Sequence, residues 1–117
     1  MSVIFPEHNE KVRAMMTKLS EVMPTSMASF LRLHKATMSD GALSMKVKEL
    51  VALAIAVTVR CDGCVAFHVN DALKAGASRR EILETIGVAI MMGGGPSVVY
   101  GTEALQALDQ FEAVGTT

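Results

Sequence analysis

The chain has 117 residues, of which half are apolar, and a formal net charge of −1. This length fits one domain (1–117) with one hydrophobic core, and the near-neutral charge leaves no excess of cations for binding nucleic acid or anionic lipid. The longest apolar stretch, 50–59, is shorter than the roughly 20 residues of a transmembrane helix, and residues 1–10 lack a secretory signal, so we expect a cytoplasmic protein and no membrane partner.

The first part of the chain predicts two helices. Apolar residues at spacings of three and four indicate one helix over about 7–22 and another over about 25–37. Pro24 separates them, and Thr25 or Ser26 is available to cap the second helix.

A third helix is predicted over about 45–59, with Ser44 as its cap. Its centre, 50–57, is apolar on every side, which predicts a helix that is buried on every side. Glu49 stands alone at the entrance to this apolar centre. A carboxylate in such a place is costly unless it is paired or protonated.

Three further helices complete an all-α domain of six helices. The fourth begins at the cysteine pair and ends near Gly76, a residue type that commonly terminates helices. Ser78 and Glu81 form a capping-box pattern that starts the fifth helix. Residues 93–96 (Gly-Gly-Gly-Pro) interrupt or end that helix, and the last helix follows over about 97–111. The glycines indicate a bend or a close helix approach, because a phosphate loop would need a following Lys-Ser/Thr.

Chemistry is most strongly indicated by Cys61 and Cys64, spaced as C-x-x-C at the start of the fourth helix. Cysteine pairs in a reducing compartment are usually catalytic or sensing. The free amides and dipole of a helix start stabilise a thiolate. His68 lies four residues after Cys64 and therefore on the same helix face, where its imidazole can accept a thiol proton.

Glu49 can join this group if the third and fourth helices pack antiparallel. Residue 49 then lies opposite about residue 72, roughly one turn beyond His68 at about 1.5 Å per residue. A glutamate side chain spans that gap directly or through a water. The same estimate does not bring Glu49 to Cys61.

The spacing of the carboxylate, the cysteine pair and the histidine resembles the signature of the AhpD-like alkyl hydroperoxidases within the carboxymuconolactone decarboxylase family. The signature is a glutamate, eleven residues, C-x-x-C, three residues and a histidine, here Glu49, Cys61, Cys64 and His68. The segment 40–43 (Asp-Gly-Ala-Leu) and the helix break at 76–78 (Gly-Ala-Ser) are also similar, so the resemblance covers about 20–110. It implies an all-helical domain that assembles as a homotrimer or homohexamer. The apolar composition independently predicts an oligomer, since one small core does not hide this much apolar surface.

The resemblance also implies a peroxide-reducing mechanism without a cofactor or a metal. Cys64 attacks a hydroperoxide substrate and becomes a sulfenic acid, which Cys61 condenses to a disulfide. Glu49 and His68 relay the proton that activates Cys64. A dithiol reductant, either a lipoyl protein or a thioredoxin-like protein, resets the pair, and members of this family can also reduce a separate peroxiredoxin.

The chain departs from the best-known hydroperoxidases at Gly63, where they carry a second histidine. The nucleophile is also open from the residues alone. The helix dipole favours Cys61, whereas adjacency to His68 and the resemblance favour Cys64.

Four other interpretations remain. The cysteine pair can be purely structural, or it can belong to a non-enzymatic redox sensor. The two thiolates can also bind zinc together with His68 and Glu49. A decarboxylase-type enzyme would use Glu49 and His68 without sulfur. His8 and His34 have no evident partners in the sequence and receive no role.

Overall fold

The structure is a computed structural model that describes residues 3–116. Its six helices are α1 (Phe5–Val22), α2 (Pro24–Met38), α3 (Met45–Val59), α4 (Asp62–Lys74), α5 (Arg79–Gly93) and α6 (Gly95–Val114). No strand occurs within 3–116, which confirms the predicted all-α class of six helices. In that same range, no helix is both long and apolar enough to cross a bilayer.

Three helix ends follow the local signals in the sequence. The Ser44 hydroxyl accepts a hydrogen bond from the Val47 N–H at 3.2 Å and so caps α3. Ser78 and Glu81 form the predicted reciprocal capping box at the start of α5. Gly76 has a φ of +95° immediately after α4, a conformation that glycine adopts without steric cost.

The start of α2 differs from the prediction. Neither Thr25 nor Ser26 caps this helix, which begins at Pro24 with Met23 in the cap position and no side-chain cap hydrogen bond. Proline is well suited to the first helical position because its missing N–H would have no partner inside the helix. The rigid φ of Pro24 therefore replaces the predicted hydroxyl cap.

The glycine run at 93–95 forms a bend between α5 and α6. A Cβ on Gly93 would lie 1.9 Å from the Ser97 hydroxyl oxygen, a distance that no side chain tolerates. The run therefore serves a close approach of the two helices. The last helix begins at Gly95, two residues before its predicted start, because Pro96 fits the first turn.

The hydrophobic core lies mainly among α3, α4, α5 and α6, and Phe5 of α1 joins it. Its largest fully buried apolar side chains are Phe5, Leu53, Val57, Val65, Val69, Ile82, Leu108 and Phe111. α3 and α6 are the central elements, since each of them contacts all three of the other core helices.

The prediction that α3 is buried on every side is wrong for the single chain. Val51, Ile55 and Val59 lie four residues apart and are 48%, 56% and 62% exposed. Helices of the same chain cover one side of α3 only, so these residues form an apolar stripe at its surface. α2 is more exposed still, because none of its residues is buried.

Candidate redox site

The connection between α3 and α4 places the cysteine pair at the start of a helix. Arg60 ends α3 in a left-handed conformation with a φ of 61°, and its N–H bonds the Ala56 carbonyl. The Cys61 N–H bonds the same carbonyl at 3.1 Å. This tight reversal makes Cys61 the cap residue of α4 and puts Cys64 in the first turn.

Cys61 and Cys64 are joined by a disulfide, with their Cα atoms 5.2 Å apart. Both residues are half-buried. The Cys61 Sγ accepts a hydrogen bond from the Cys64 N–H at 3.3 Å. Because this amide belongs to the unpaired N–H groups of a helix start, it stabilises negative charge on the Cys61 sulfur.

Glu49 and His68 form a direct pair across α3 and α4. The Glu49 Oε2 lies 2.8 Å from the His68 Nδ1, and the Glu49 side chain is only 5% exposed. The two side chains meet without a bridging water, although residue 49 was expected opposite residue 72. Since Nδ1 faces a carboxylate, we assign its proton to this hydrogen bond, which leaves Nε2 as the nitrogen that exchanges protons.

Asp71 is a third member of this group that the sequence analysis missed. Single donor atoms of Glu49, His68 and Asp71 all lie within 4.8 Å of one another. Burial, followed by the nearby Glu49, raises the pKa of Asp71 above its usual value, while His68, Lys74 and Arg13 oppose the shift. A signal was present, because Asp71 follows His68 by three residues and adjoins the position predicted to face Glu49.

A cavity of about 480 Å³ opens beside the two carboxylates. Glu49 and Asp71 contribute to its wall from α3 and α4, and α2 closes another side with His34 and Met38. The cavity connects the carboxylate end of the group with solvent. Protons can therefore reach Glu49 without passing the cysteine pair.

The helix α1 also contacts α4 beside this group. Arg13 Nη2 lies 4.0 Å from Asp71 Oδ1, and the Arg13 guanidinium lies over the Phe67 ring at 5.3 Å from its centroid. The ring and the guanidinium form a cation–π contact. This contact holds the middle of α1 against the face of α4 that carries the site.

A second carboxylate pair lies next to the cysteines. Burial and the adjacent Asp62 carboxylate raise the pKa of Glu103, a residue of α6. Asp62 lies between the cysteines in the sequence, so the pair places two interacting carboxyl groups near the start of α4.

The zinc set considered from the sequence is not assembled. Among residues 3–116, the group of close metal-type donors is Glu49, His68 and Asp71, with neither cysteine in it. The two sulfurs are bonded to each other. The structure thus divides the four predicted residues into two pairs, a disulfide at the start of α4 and a hydrogen-bonded pair between α3 and α4.

Relatives of known sequence cover most of the chain. Residues 24–107 match the model of the carboxymuconolactone decarboxylase family. An uncharacterized protein of Cupriavidus necator is 41% identical over 95 residues, or 81% of this chain and 84% of that protein. A second uncharacterized protein, from the cox locus of Paracoccus denitrificans, is 37% identical over 84 residues, or 72% of this chain and 76% of that one.

Solved structures have the same fold. A carboxymuconolactone decarboxylase family protein from Legionella pneumophila, solved in its apo form, is 43% identical with a TM-score of 0.88, covering 92% of this chain and 96% of that one. A family protein from Thermotoga maritima, whose description connects it with an antioxidative response, is 26% identical with a TM-score of 0.82, covering 94% and 97%. By sequence and by fold, the chain belongs to the carboxymuconolactone decarboxylase family.

Proposed function

We propose that the protein is a thiol-dependent peroxidase of the AhpD-like type, which reduces alkyl hydroperoxides at the expense of a dithiol. One observation carries this proposal: the disulfide-forming Cys61 and Cys64 begin the same helix that holds His68 against the buried Glu49. Such an arrangement combines a sulfur nucleophile with a base and a group that orients the base.

The first half of the proposed cycle oxidises Cys64. His68 takes the thiol proton of Cys64, four residues earlier on the same helix, while Glu49 stabilises the imidazolium that forms. The Cys64 thiolate then attacks the terminal peroxide oxygen. The O–O bond breaks, the sulfur becomes a sulfenic acid, and the alkoxide leaves and is protonated to an alcohol.

The second half closes and reopens the disulfide. The Cys61 thiol attacks the sulfenic sulfur, which releases water and gives the Cys61–Cys64 disulfide. An external dithiol, carried by a lipoyl or thioredoxin-like protein, then attacks Cys64. Cys61 leaves as a thiolate, and the hydrogen bond from the Cys64 amide stabilises it. The second thiol of the reductant then displaces Cys64 from the mixed disulfide, which leaves the reductant as a disulfide and both cysteines reduced.

The Thermotoga maritima relative supports this direction, because an antioxidative response is the setting in which a peroxidase acts. The same dithiol chemistry can deliver electrons to a peroxiredoxin in place of a peroxide. In that case the protein acts as a disulfide reductase and uses the same cysteine pair, His68 and Glu49.

We further propose that the protein works as a homo-oligomer, either a trimer or a hexamer. The stripe of Val51, Ile55 and Val59 supports this proposal because it is apolar, contiguous along α3 and uncovered in the single chain. α2 adds exposed Phe30 and Leu33. Analytical ultracentrifugation at micromolar concentration should find the assembled species, and a stable monomer would contradict the proposal.

The test of the activity is consumption of cumene or tert-butyl hydroperoxide with excess dihydrolipoamide. We expect many turnovers per subunit in the wild-type protein and none in Cys64→Ser or Cys61→Ser, since each variant lacks one half of the cycle. An exposed serine elsewhere, Ser29→Ala on α2, is the matched control and should keep full turnover.

Two results would overturn the proposed activity. A single stoichiometric oxidation per cysteine pair would identify a redox sensor. Turnover of a carbon acid that survives Cys64→Ser would identify decarboxylase-type chemistry based on Glu49 and His68.

A further inference from the structure

Gly63 lies between the two cysteines and has no side chain, and two side chains of another helix lie next to it. A Cβ placed on Gly63 would lie 4.0 Å from the His8 Nε2 and 4.0 Å from the Val12 Cγ2. Both atoms belong to side chains of α1, which packs against α4. The His8 imidazole therefore lies beside Gly63, the residue that directly precedes Cys64, although its own helix is far from Gly63 in sequence.

This imidazole is accessible from outside the protein. His8 is half-buried and borders an open, mainly apolar groove of about 300 Å³, to which Lys11 also contributes. Within residues 3–116, no side chain holds the imidazole in a hydrogen bond or an ion pair. A small molecule that enters this groove meets the His8 ring.

We propose that His8 is a second catalytic histidine, the proton donor to the alkoxide that leaves when the cysteine pair attacks an alkyl hydroperoxide. The inference rests on the proposed peroxidase function and assigns this step to a residue outside the Glu49–His68 pair. His68 takes a proton from the sulfur, and His8 gives one to the departing oxygen.

The proton balance of the step is complete. The thiol proton of Cys64 passes to His68, and the thiolate forms a bond to the terminal peroxide oxygen. As the O–O bond breaks, the His8 imidazolium donates a proton to the alkoxide and becomes neutral. His68 then releases the thiol proton to solvent and His8 takes one proton up from solvent. Both histidines return to their starting states, and one thiol and one hydroperoxide give one sulfenic acid and one alcohol.

The leaving group provides a test that a merely structural role would not pass. An alkoxide is a strong base and needs the donated proton, whereas a peroxy acid releases a carboxylate that does not. We expect His8→Gln to lower kcat/KM for tert-butyl hydroperoxide by about 10²-fold. With peracetic acid, the same variant should react nearly as fast as the wild-type protein.

A second-site variant offers a rescue. Gly63 lies in the first turn of α4 and its Cβ position is at ordinary contact distance from its neighbours, so a side chain fits there. We expect His8→Gln combined with Gly63→His to recover much of the lost activity, and His8→Gln combined with Gly63→Ala to recover none. Glu10→Gln, an exposed change on α1, is the control and should match the wild type.

Two outcomes would overturn the inference: full alkyl hydroperoxide activity in His8→Gln, or equal losses with both oxidants. Either result leaves the peroxidase proposal intact if turnover still depends on Cys64. Absence of cysteine-dependent turnover in the wild type would instead overturn both proposals.

Discussion

The four helices α3–α6 and the outer pair α1–α2 differ in packing and in what they contribute to the site. The four-helix part holds most of the fully buried side chains, together with both cysteines, Glu49 and His68. In contrast, α2 buries none of its residues and α1 buries only Phe5 and Asn9. The outer pair instead lies around the site, with His34 in the wall of the cavity beside Glu49 and His8 next to Gly63. The cysteine pair and the Glu49–His68 pair thus depend on the well-buried helices, whereas the more exposed helices contribute His8 and one wall of the cavity.

The largest stability difference between the two parts should come from the core. Leu53→Ala removes a fully buried side chain from α3 and should lower the free energy of unfolding by about 2–5 kcal/mol. Thr17→Ala on the exposed side of α1 should change it by about 0.5 kcal/mol or less. Denaturant unfolding at one protein concentration measures both. Equal effects would contradict the proposed contrast.

A large catalytic effect is expected at Glu49. Glu49→Gln keeps the size of the side chain but removes the charge that orients and stabilises the His68 imidazolium, so peroxide turnover should fall by about 10²-fold. Glu84→Gln, an exposed change on α5, is the matched control. Unchanged turnover in Glu49→Gln would show that the contact between Glu49 and His68 does not contribute to the reaction.

Helix capping provides a smaller contrast between the two parts. Ser78→Ala breaks the capping box of α5 and should cost about 1 kcal/mol of unfolding free energy. Thr25→Ala should cost about 0.5 kcal/mol or less because α2 begins without a side-chain cap. A comparable loss from Thr25→Ala would mean that α2 is fixed more firmly than its packing indicates.

The smallest expected effect is at Asp71 and depends on pH. Because its folded-state pKa is raised above the usual 3.8, the carboxyl favours folding at low pH, and this contribution is lost as pH rises through the raised pKa. Asp71→Asn removes the buried charge, so it should be more stable than the wild type at neutral pH, with the difference vanishing below the usual pKa. Thermal unfolding at several pH values tests this prediction. Lower stability of the variant at neutral pH would show that the Arg13 ion pair outweighs the cost of burial.

Local signals predicted the helices well, because caps and breakers act within a few residues. Ser44, Ser78 and Gly76 each determine a helix end through contacts that sequence spacing alone reveals. The apolar run of α3 was less informative. Hydrophobicity predicts that a surface is covered, but it does not tell whether the same chain or another chain covers it. Ile55 of α3 is therefore exposed in the single chain although the sequence predicted its burial.

In the candidate site, too, contacts between residues close in sequence were predictable and contacts between distant residues were not. Cys61, Cys64 and His68 share one helix, and Glu49 lies on the helix before it, so periodicity and an antiparallel turn were enough to bring them near one another. His8 reaches Gly63 across more than fifty residues of sequence, through the packing of α1 on α4. No spacing rule encodes that contact, and only the assembled fold reveals it.

The most direct test of the account is a double-mutant cycle on the rate at which cumene hydroperoxide oxidises the reduced cysteine pair. If Glu49 and His68 act as one proton relay for Cys64, then Glu49→Gln, His68→Gln and the double variant should lose similar amounts of activity, since residues that act as a unit are not additive. Losses that multiply in the double variant, or no loss in any of the three, would contradict the relay.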